Sequence, residues 1–241
     1  MQGLHGLLGD NTEFVYLDGP FEAECKSIPI VESSFGHMRP FYEWMRNFIG
    51  DDAESTVFEA KEFELVRKIV AGGNKWPIRY GGIERALEYL DEQLEALGPF
   101  DVAVGFSQGG IMLTVYAMWC LRKHNKRRWK LMVMVSTPLV NAINVKHLFM
   151  TSSGEHVGVP FPSAHVVGKA DWIRQALISL MHMLEEHPAG ALHTGGDCIS
   201  AGQILLEHNE GHRMPSFEHH RAMYRELARV MTNSRAHTRS I

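Results

Sequence analysis

Phe100-Asp101-Val102-Ala103-Val104-Gly105-Phe106-Ser107-Gln108-Gly109-Gly110 decides the fold of this chain. An apolar run enters a glycine-flanked serine, and a helix-like run over residues 111–121 leaves it. That is the pattern of a strand, a sharp turn and a helix with Ser107 at the apex, Gly-x-Ser-x-Gly. A serine held in such a strained turn needs neighbours without a Cβ, so Gly105 and Gly109 are read as making room for it. The strain exposes Oγ and places the next main-chain N–H, that of Gln108, beside a developing oxyanion.

Helix and strand alternate on both sides of this turn. Ile83, Leu87, Leu90, Leu94 and Leu97 recur at steps of four and three, one face of a helix that Gly98-Pro99 ends. In the helix after Ser107, Ile111, Val115, Met118 and Leu121 repeat the period. Lys130-Leu131-Met132-Val133-Met134-Val135-Ser136 reads as a buried strand, Ala164-His165-Val166-Val167 as the next, and Gln203-Ile204-Leu205-Leu206-Glu207 as the last. This order predicts an α/β fold, a mostly parallel sheet flanked by helices. Upstream, Glu13-Phe14-Val15-Tyr16-Leu17 reads as a short buried strand closed by Asp18-Gly19-Pro20. Residues 21–36 read as loop, and residues 51–70 as helical in part. Residues 142–162 and 188–202 read as loops, residues 173–186 as a helix, and a terminal helix is expected over residues 217–231.

A chain of 241 residues can bury one sizeable core, so a single α/β domain spanning residues 1–241 is expected. The formal net charge of -4 leaves no basic field for nucleic acid. The basic run Arg122-Lys123-His124-Asn125-Lys126-Arg127-Arg128 falls where the helix after Ser107 should end. There cations suit the helix dipole, and the run reads as a solvated helix end rather than a phosphate or membrane patch. Cys25, Cys120 and Cys198 are odd in number and lack metal-ligand spacing, which points to a reducing, cytoplasmic compartment without a disulfide framework. No apolar stretch approaches the roughly 20 residues of a membrane span. Residues 1–10 do not read as a signal peptide.

A serine hydroxyl is a poor nucleophile until a base takes its proton, and the base needs a third group to orient it. In open parallel sheets such groups sit beyond the carboxyl ends of strands. Ser107, Asp171 and His212 each follow a predicted strand, and their chain order is that of α/β-hydrolases. Asp171 equally suits the N-cap of the helix after it, and both roles are compatible. Among fourteen histidines, His212 is favoured by its loop between Gly211 and Pro215; His208, at the strand end, is the rival. His208 and His212 with Glu210 between them do not form a zinc helix, because the Glu is misplaced and Gly211 and Pro215 oppose a helix. Neither a metal nor a cofactor is expected.

Three segments together resemble the serine hydrolase (FSH) group of α/β-hydrolases, which includes small esterases and polyketide-releasing thioesterases. They are Gly105 to Gly110, His165-Val166-Val167-Gly168-Lys169-Ala170-Asp171, and Glu207-His208-Asn209-Glu210-Gly211-His212-Arg213-Met214-Pro215. The stretches Phe14-Val15-Tyr16-Leu17-Asp18-Gly19-Pro20 and Pro40-Phe41-Tyr42-Glu43-Trp44 are similar to its second strand and following aromatic segment. The resemblance implies Ser107 as nucleophile, Asp171 as orienting acid and His212 as general base.

The chain departs from that group at its start. Leu4-His5-Gly6 is similar to the end of the group's first strand, whose loop supplies a second oxyanion N–H. Only residues 7–12 separate it from the expected second strand, and a parallel crossover needs about a dozen or more. Residues 6–11 are therefore expected to be the tail of the group's first helix, with the first strand and half of the oxyanion hole lacking. The expected function is hydrolysis of a carboxylic ester or thioester through an acyl-enzyme on Ser107. Gln108 N–H would hold the oxyanion, and the aromatic residues Phe41, Tyr42 and Trp44 would wall the acyl pocket. The substrate would be a free small ester or a carrier-bound acyl chain. The competing reading is a catalytically weak protein of the same fold that binds an apolar ligand or a partner.

Overall fold

The computed structural model describes residues 2–24, 29–49, 56–57, 78–174 and 203–236. In chain order the elements are α1 (Gln2–Leu8), β1 (Phe21–Glu22), α2 (Pro29–Phe35), β2 (Tyr42–Glu43), β3 (Arg46–Ile49), β4 (Thr56–Val57), β5 (Ile78–Gly81), α3 (Ile83–Leu97), β6 (Val102–Phe106), α4 (Gln108–His124), β7 (Leu131–Val135), β8 (Ser163–Gly168), β9 (Gln203–His208) and α5 (Arg221–Ala236).

The central sheet runs β6-β7-β8-β9 with every pairing parallel. All residues of β7 and β8 are buried, as strands covered on both faces should be. The alternation along β7 divides the core. Met132 and Met134 pack with Leu87, Leu90 and Met112 of α3 and α4, while Leu131, Val133 and Val135 pack with Leu4 of α1 and Tyr224 and Leu227 of α5. Two helical layers thus cover opposite faces, the architecture the strand and helix alternation predicts.

Helix α3 buries Ile83, Leu87, Leu90 and Leu94 on one face, and the Gly98 N–H returns to Leu94 O. Leu97, at its last turn, stays half exposed. Helix α4 buries apolar residues nearly all round because it lies against the sheet, α3 and the residues 146–149 turn. The basic run at its end is more anchored than a solvated helix end. Arg122 donates to the carbonyls of Leu148 (2.7 Å) and Met150 (2.6 Å), Lys123 lies over the Trp119 ring and Arg127 over Phe161. Arg128 pairs with Asp91 and Glu95. These cations finish the fold's own carbonyls, carboxylates and rings.

Strands β4-β3-β5 form a separate antiparallel sheet. Asn144 ties it to the body: its amide accepts from Tyr80 N–H at 3.0 Å and donates to Tyr80 O at 2.9 Å.

Three local expectations need correction. Residues 13–17 form no strand; Val15 and Tyr16 are exposed, and Val15, Tyr16 and Leu17 line a groove against β6. Their β-branched and aromatic composition permits a strand, but pairing depends on a partner edge that composition does not encode. Residues 21–36 hold β1 and α2 rather than loop alone. The terminal helix begins at Arg221, because Phe217 is used in packing against Gly3 and the Tyr224 ring. Leu4-His5-Gly6 lies inside α1, a helix as expected rather than a strand end, although the helix stops at Leu8; Leu4 is fully buried against α5. Apart from Thr56–Val57, the partly helical expectation for residues 51–70 lies outside the described residues. So do the expected helix beyond residue 174, the loop over residues 188–202, Cys25 and Cys198; Cys120 is buried as a free thiol. Among the described residues no helix is long and apolar enough to cross a membrane.

Candidate active site

Ser107 sits between β6 and α4 with φ 49 and ψ −113, a left-handed backbone that a β-carbon residue adopts only when its surroundings impose it. Those surroundings are visible. Ser107 N–H donates to Val135 O of the neighbouring strand (2.9 Å), and Ser107 O accepts from Gly110 N–H and Ile111 N–H. A Cβ on Gly105 would stand 2.5 Å from the Gly110 nitrogen, and one on Gly110 would collide with the Thr137 side chain. Gly109 is different: a Cβ there meets nothing within 4 Å. The glycines that make room for the turn are therefore Gly105 and Gly110. Gly109 instead lines the adjoining cavity.

His212 Nε2 lies 3.0 Å from Ser107 Oγ, and His212 Nδ1 lies 3.1 and 3.2 Å from the two Asp171 carboxylate oxygens. The Asp171 side chain is fully buried and the His212 ring largely so, at 0% and 14% exposure. Burial pushes the Asp171 carboxyl up, but His212, the Ser136 hydroxyl and Ile173 N–H outweigh it and hold the group below the ordinary carboxylate range. Asp171 Oδ1 accepts from Ile173 N–H at 3.1 Å, so the carboxylate also caps the turn after it. One side chain thus faces the His212 ring and caps the turn after it.

The histidine loop is held from below by Glu210. Its carboxylate accepts from Ser216 N–H at 2.8 Å and faces His220 at 3.2 Å and Arg213 at 3.4 Å. Its carbonyl accepts from Ala170 N–H, which joins the histidine loop to the aspartate loop. His208 is turned to other work: its Nδ1 accepts from Glu210 N–H at 3.2 Å, and its ring packs edge-on to His220. Burial, with His220 beside it, holds the His208 imidazole below its ordinary value.

Sequence reading did not single out Phe106, Trp172 or Ser136, and it weighed Glu210 only in rejecting a zinc site. The Phe106 and Trp172 rings stand 5.2 and 5.4 Å from His212 and shield it on two sides. Both are chain neighbours of a candidate residue, which is the signal that could have found them. Ser136 is wholly buried with φ 46 and faces the Asp171 carboxylate without completing a hydrogen bond of ordinary geometry.

Beside the serine a cavity of about 420 Å³ runs along β6. Tyr42, Trp44, Gln108, Gly109 and Leu113 are among its walls. Phe41 is not; its ring carries the Arg39 guanidinium at 4.8 Å instead. The alternation of the β2 segment turns Tyr42 and Trp44 to one side and leaves Phe41 off it. The Gln108 side chain accepts from Trp44 N–H at 2.8 Å and donates to Met45 O at 2.9 Å. Among the described residues no group of three or more His, Cys, Asp or Glu side chains is placed to hold a metal ion.

Residues 1–224 match the family described as Serine hydrolase (FSH1). Over 125 residues the chain is 26% identical to Esterase OVCA2 of Xenopus tropicalis, an alignment covering 50% of each protein, so the chain spans about half the length of the curated relative it matches. Solved structures to which the chain shows similarity include Zea mays acyl-protein thioesterase 2, at 15% identity and TM-score 0.45, covering 86% of this chain and 79% of that one. An esterase of Pyrobaculum calidifontis aligns at 13% identity and TM-score 0.40 over 72% and 71% of the two chains. A Rhizomucor miehei esterase aligns at 11% and 0.41 over 64% and 59%.

Proposed function

We infer the function from one premise: this chain belongs to the FSH1 serine hydrolase family. Members of such an esterase family act on small acyl substrates, and we propose that this chain cleaves a carboxylic ester or thioester through an acyl-enzyme on Ser107. The observation that carries the reading is the continuous relay from Ser107 Oγ through the His212 ring to the buried Asp171 carboxylate.

The chemistry follows from those atoms. His212 Nε2 takes the Ser107 proton as Oγ attacks the acyl carbon, and Asp171 keeps the Nδ1 proton facing it and stabilises the imidazolium. The carbonyl oxygen becomes an oxyanion beside Gln108 N–H, which opens α4 and so has no intrahelical acceptor. His212 then returns the proton to the leaving alkoxide or thiolate, and the acyl group stays on Ser107. Water, deprotonated by the same nitrogen, attacks the ester, and Ser107 leaves as the free acid forms. The cavity beside Gly109 would take the acyl chain, with Tyr42 and Trp44 as walls.

The test is covalent labelling with a fluorophosphonate probe. Wild-type protein should label and Ser107→Ala should not. A folded wild-type protein that resists the probe and hydrolyses no activated ester would instead favour a ligand-binding role for the same cavity.

A further inference from the structure

We propose that the Gln108 side chain sets the acyl-chain preference of the site by clamping Trp44 against the nucleophile turn. The inference rests on the hydrolase reading, because Trp44 matters to specificity only if the cavity it walls receives the acyl group.

Trp44 and Met45 lie between β2 and β3, and their main-chain groups meet the Gln108 amide rather than a strand. Gln108 Oε1 accepts from Trp44 N–H at 2.8 Å, and Gln108 Nε2 donates to Met45 O at 2.9 Å. One planar amide thus satisfies a donor and an acceptor on consecutive residues. A carboxylate of the same length offers acceptors only, and an apolar side chain offers neither. The rest of the segment is held on its other side. Met45 is fully buried in the core, and Gly19 lies against the Glu43 carbonyl too closely for a Cβ. Trp44 is half-buried, packed at the edge of the core and tilted against the Tyr89 ring, with its side chain on the cavity.

Gln108 therefore has two separable parts. Its main-chain N–H belongs to the turn after Ser107, whatever side chain it carries. Its amide reaches a segment 64 residues away in sequence and fixes the wall along which an acyl chain would lie. Gln108 acts on specificity through Trp44 and is a positioning residue in this respect. Loosening the wall should cost long chains, which touch it, more than an acetyl group, which does not reach it. Each methylene that loses its apolar contact forfeits about fourfold in kcat/KM.

The experiment compares p-nitrophenyl octanoate with p-nitrophenyl acetate for the full chain, wild type and Gln108→Met. The readout is the octanoate-to-acetate ratio of kcat/KM, together with hydrogen exchange at Trp44 N–H. We expect the ratio to fall by roughly tenfold or more, the effect of two or three methylenes, and Trp44 exchange to accelerate. Gln108→Glu, which turns an acceptor oxygen toward Met45 O in place of the donor, should lower the ratio as well; it carries the test if the Met variant does not fold. An unchanged ratio in a protein that hydrolyses both esters overturns the clamp and leaves the hydrolase reading standing. So does a changed ratio with unchanged Trp44 exchange in Gln108→Met. A wild-type protein that hydrolyses neither ester sinks the hydrolase reading and this proposal with it.

Discussion

His212 Nε2 stands 3.0 Å from Ser107 Oγ across a sequence separation of 105 residues. Parallel strands create this proximity. Ser107 follows the carboxyl end of β6, Asp171 that of β8 and the His212 loop that of β9, so all three strand ends open on one rim of the sheet.

The relay should behave as a unit. Ser107→Ala should abolish hydrolysis and labelling, and Asp171→Asn should lower kcat by on the order of 10⁴, as in the serine-protease precedent. His212→Ala should be as damaging as Ser107→Ala, whereas His208→Ala should act mainly on stability, since that ring holds Glu210 N–H. Steady-state kinetics beside thermal melts separate the two. Full activity in His212→Ala with loss in His208→Ala would reassign the base.

Glu210→Ala removes the acceptor of Ser216 N–H and the partner of His220. Hydrogen bonds to charged groups contribute about 1.5–3 kcal/mol. The variant should lose stability of that order and show lower kcat with little change in KM, because the loop that carries His212 slackens. Urea unfolding and kinetics on one activated ester check it.

The glycines of the turn should separate cleanly. Gly105→Ala drives a Cβ into the main chain at Gly110, and overpacking of this kind costs about 1–3 kcal/mol. It should melt lower and lose activity. Gly109→Ala meets open space and should melt like the wild type, while its methyl narrows the cavity and penalises bulky acyl groups. Calorimetry and an acyl-size series decide.

Chain length should be read directly by the cavity. Burying each CH₂ contributes roughly 0.8 kcal/mol, so kcat/KM should climb from two to eight carbons until the cavity is full. Trp44→Ala should flatten the climb. A flat or falling series for the wild type would count against an apolar acyl pocket.

Acid should act on the core through His165. Its ring is wholly buried on β8, and burial pushes its pKa down to about 4. The unfolded chain binds this proton near pH 6.5 and the native protein only near 4. Stability from the neutral ring is therefore complete above pH 6.5 and is lost as pH falls towards 4, by about 1.4 kcal/mol per unit. His165→Asn, which does not titrate, should show a smaller fall in urea midpoint than the wild type between pH 7 and 4.5.

The sequence by itself determined the layers and the three residues at the rim. Short apolar runs and the 3.6 period are local properties of the chain, and they located β6, β7, β8, β9, α3 and α4. The glycine-flanked serine and the two strand-end loops are equally local signals, so Ser107, Asp171 and His212 were legible without coordinates. Tertiary structure alone decided what depends on a distant partner. Residues 13–17 have the composition of a strand but pair with none among the described residues, since an edge must be offered by another segment. Phe41 and Trp44 read alike in sequence, yet one lies under Arg39 and the other on the cavity. Gly110 rather than Gly109 is the crowded glycine because Thr137 occupies its space. The Gln108 amide met Trp44 and Met45 because their main-chain groups required partners, a need that arises only once the chain has folded around them.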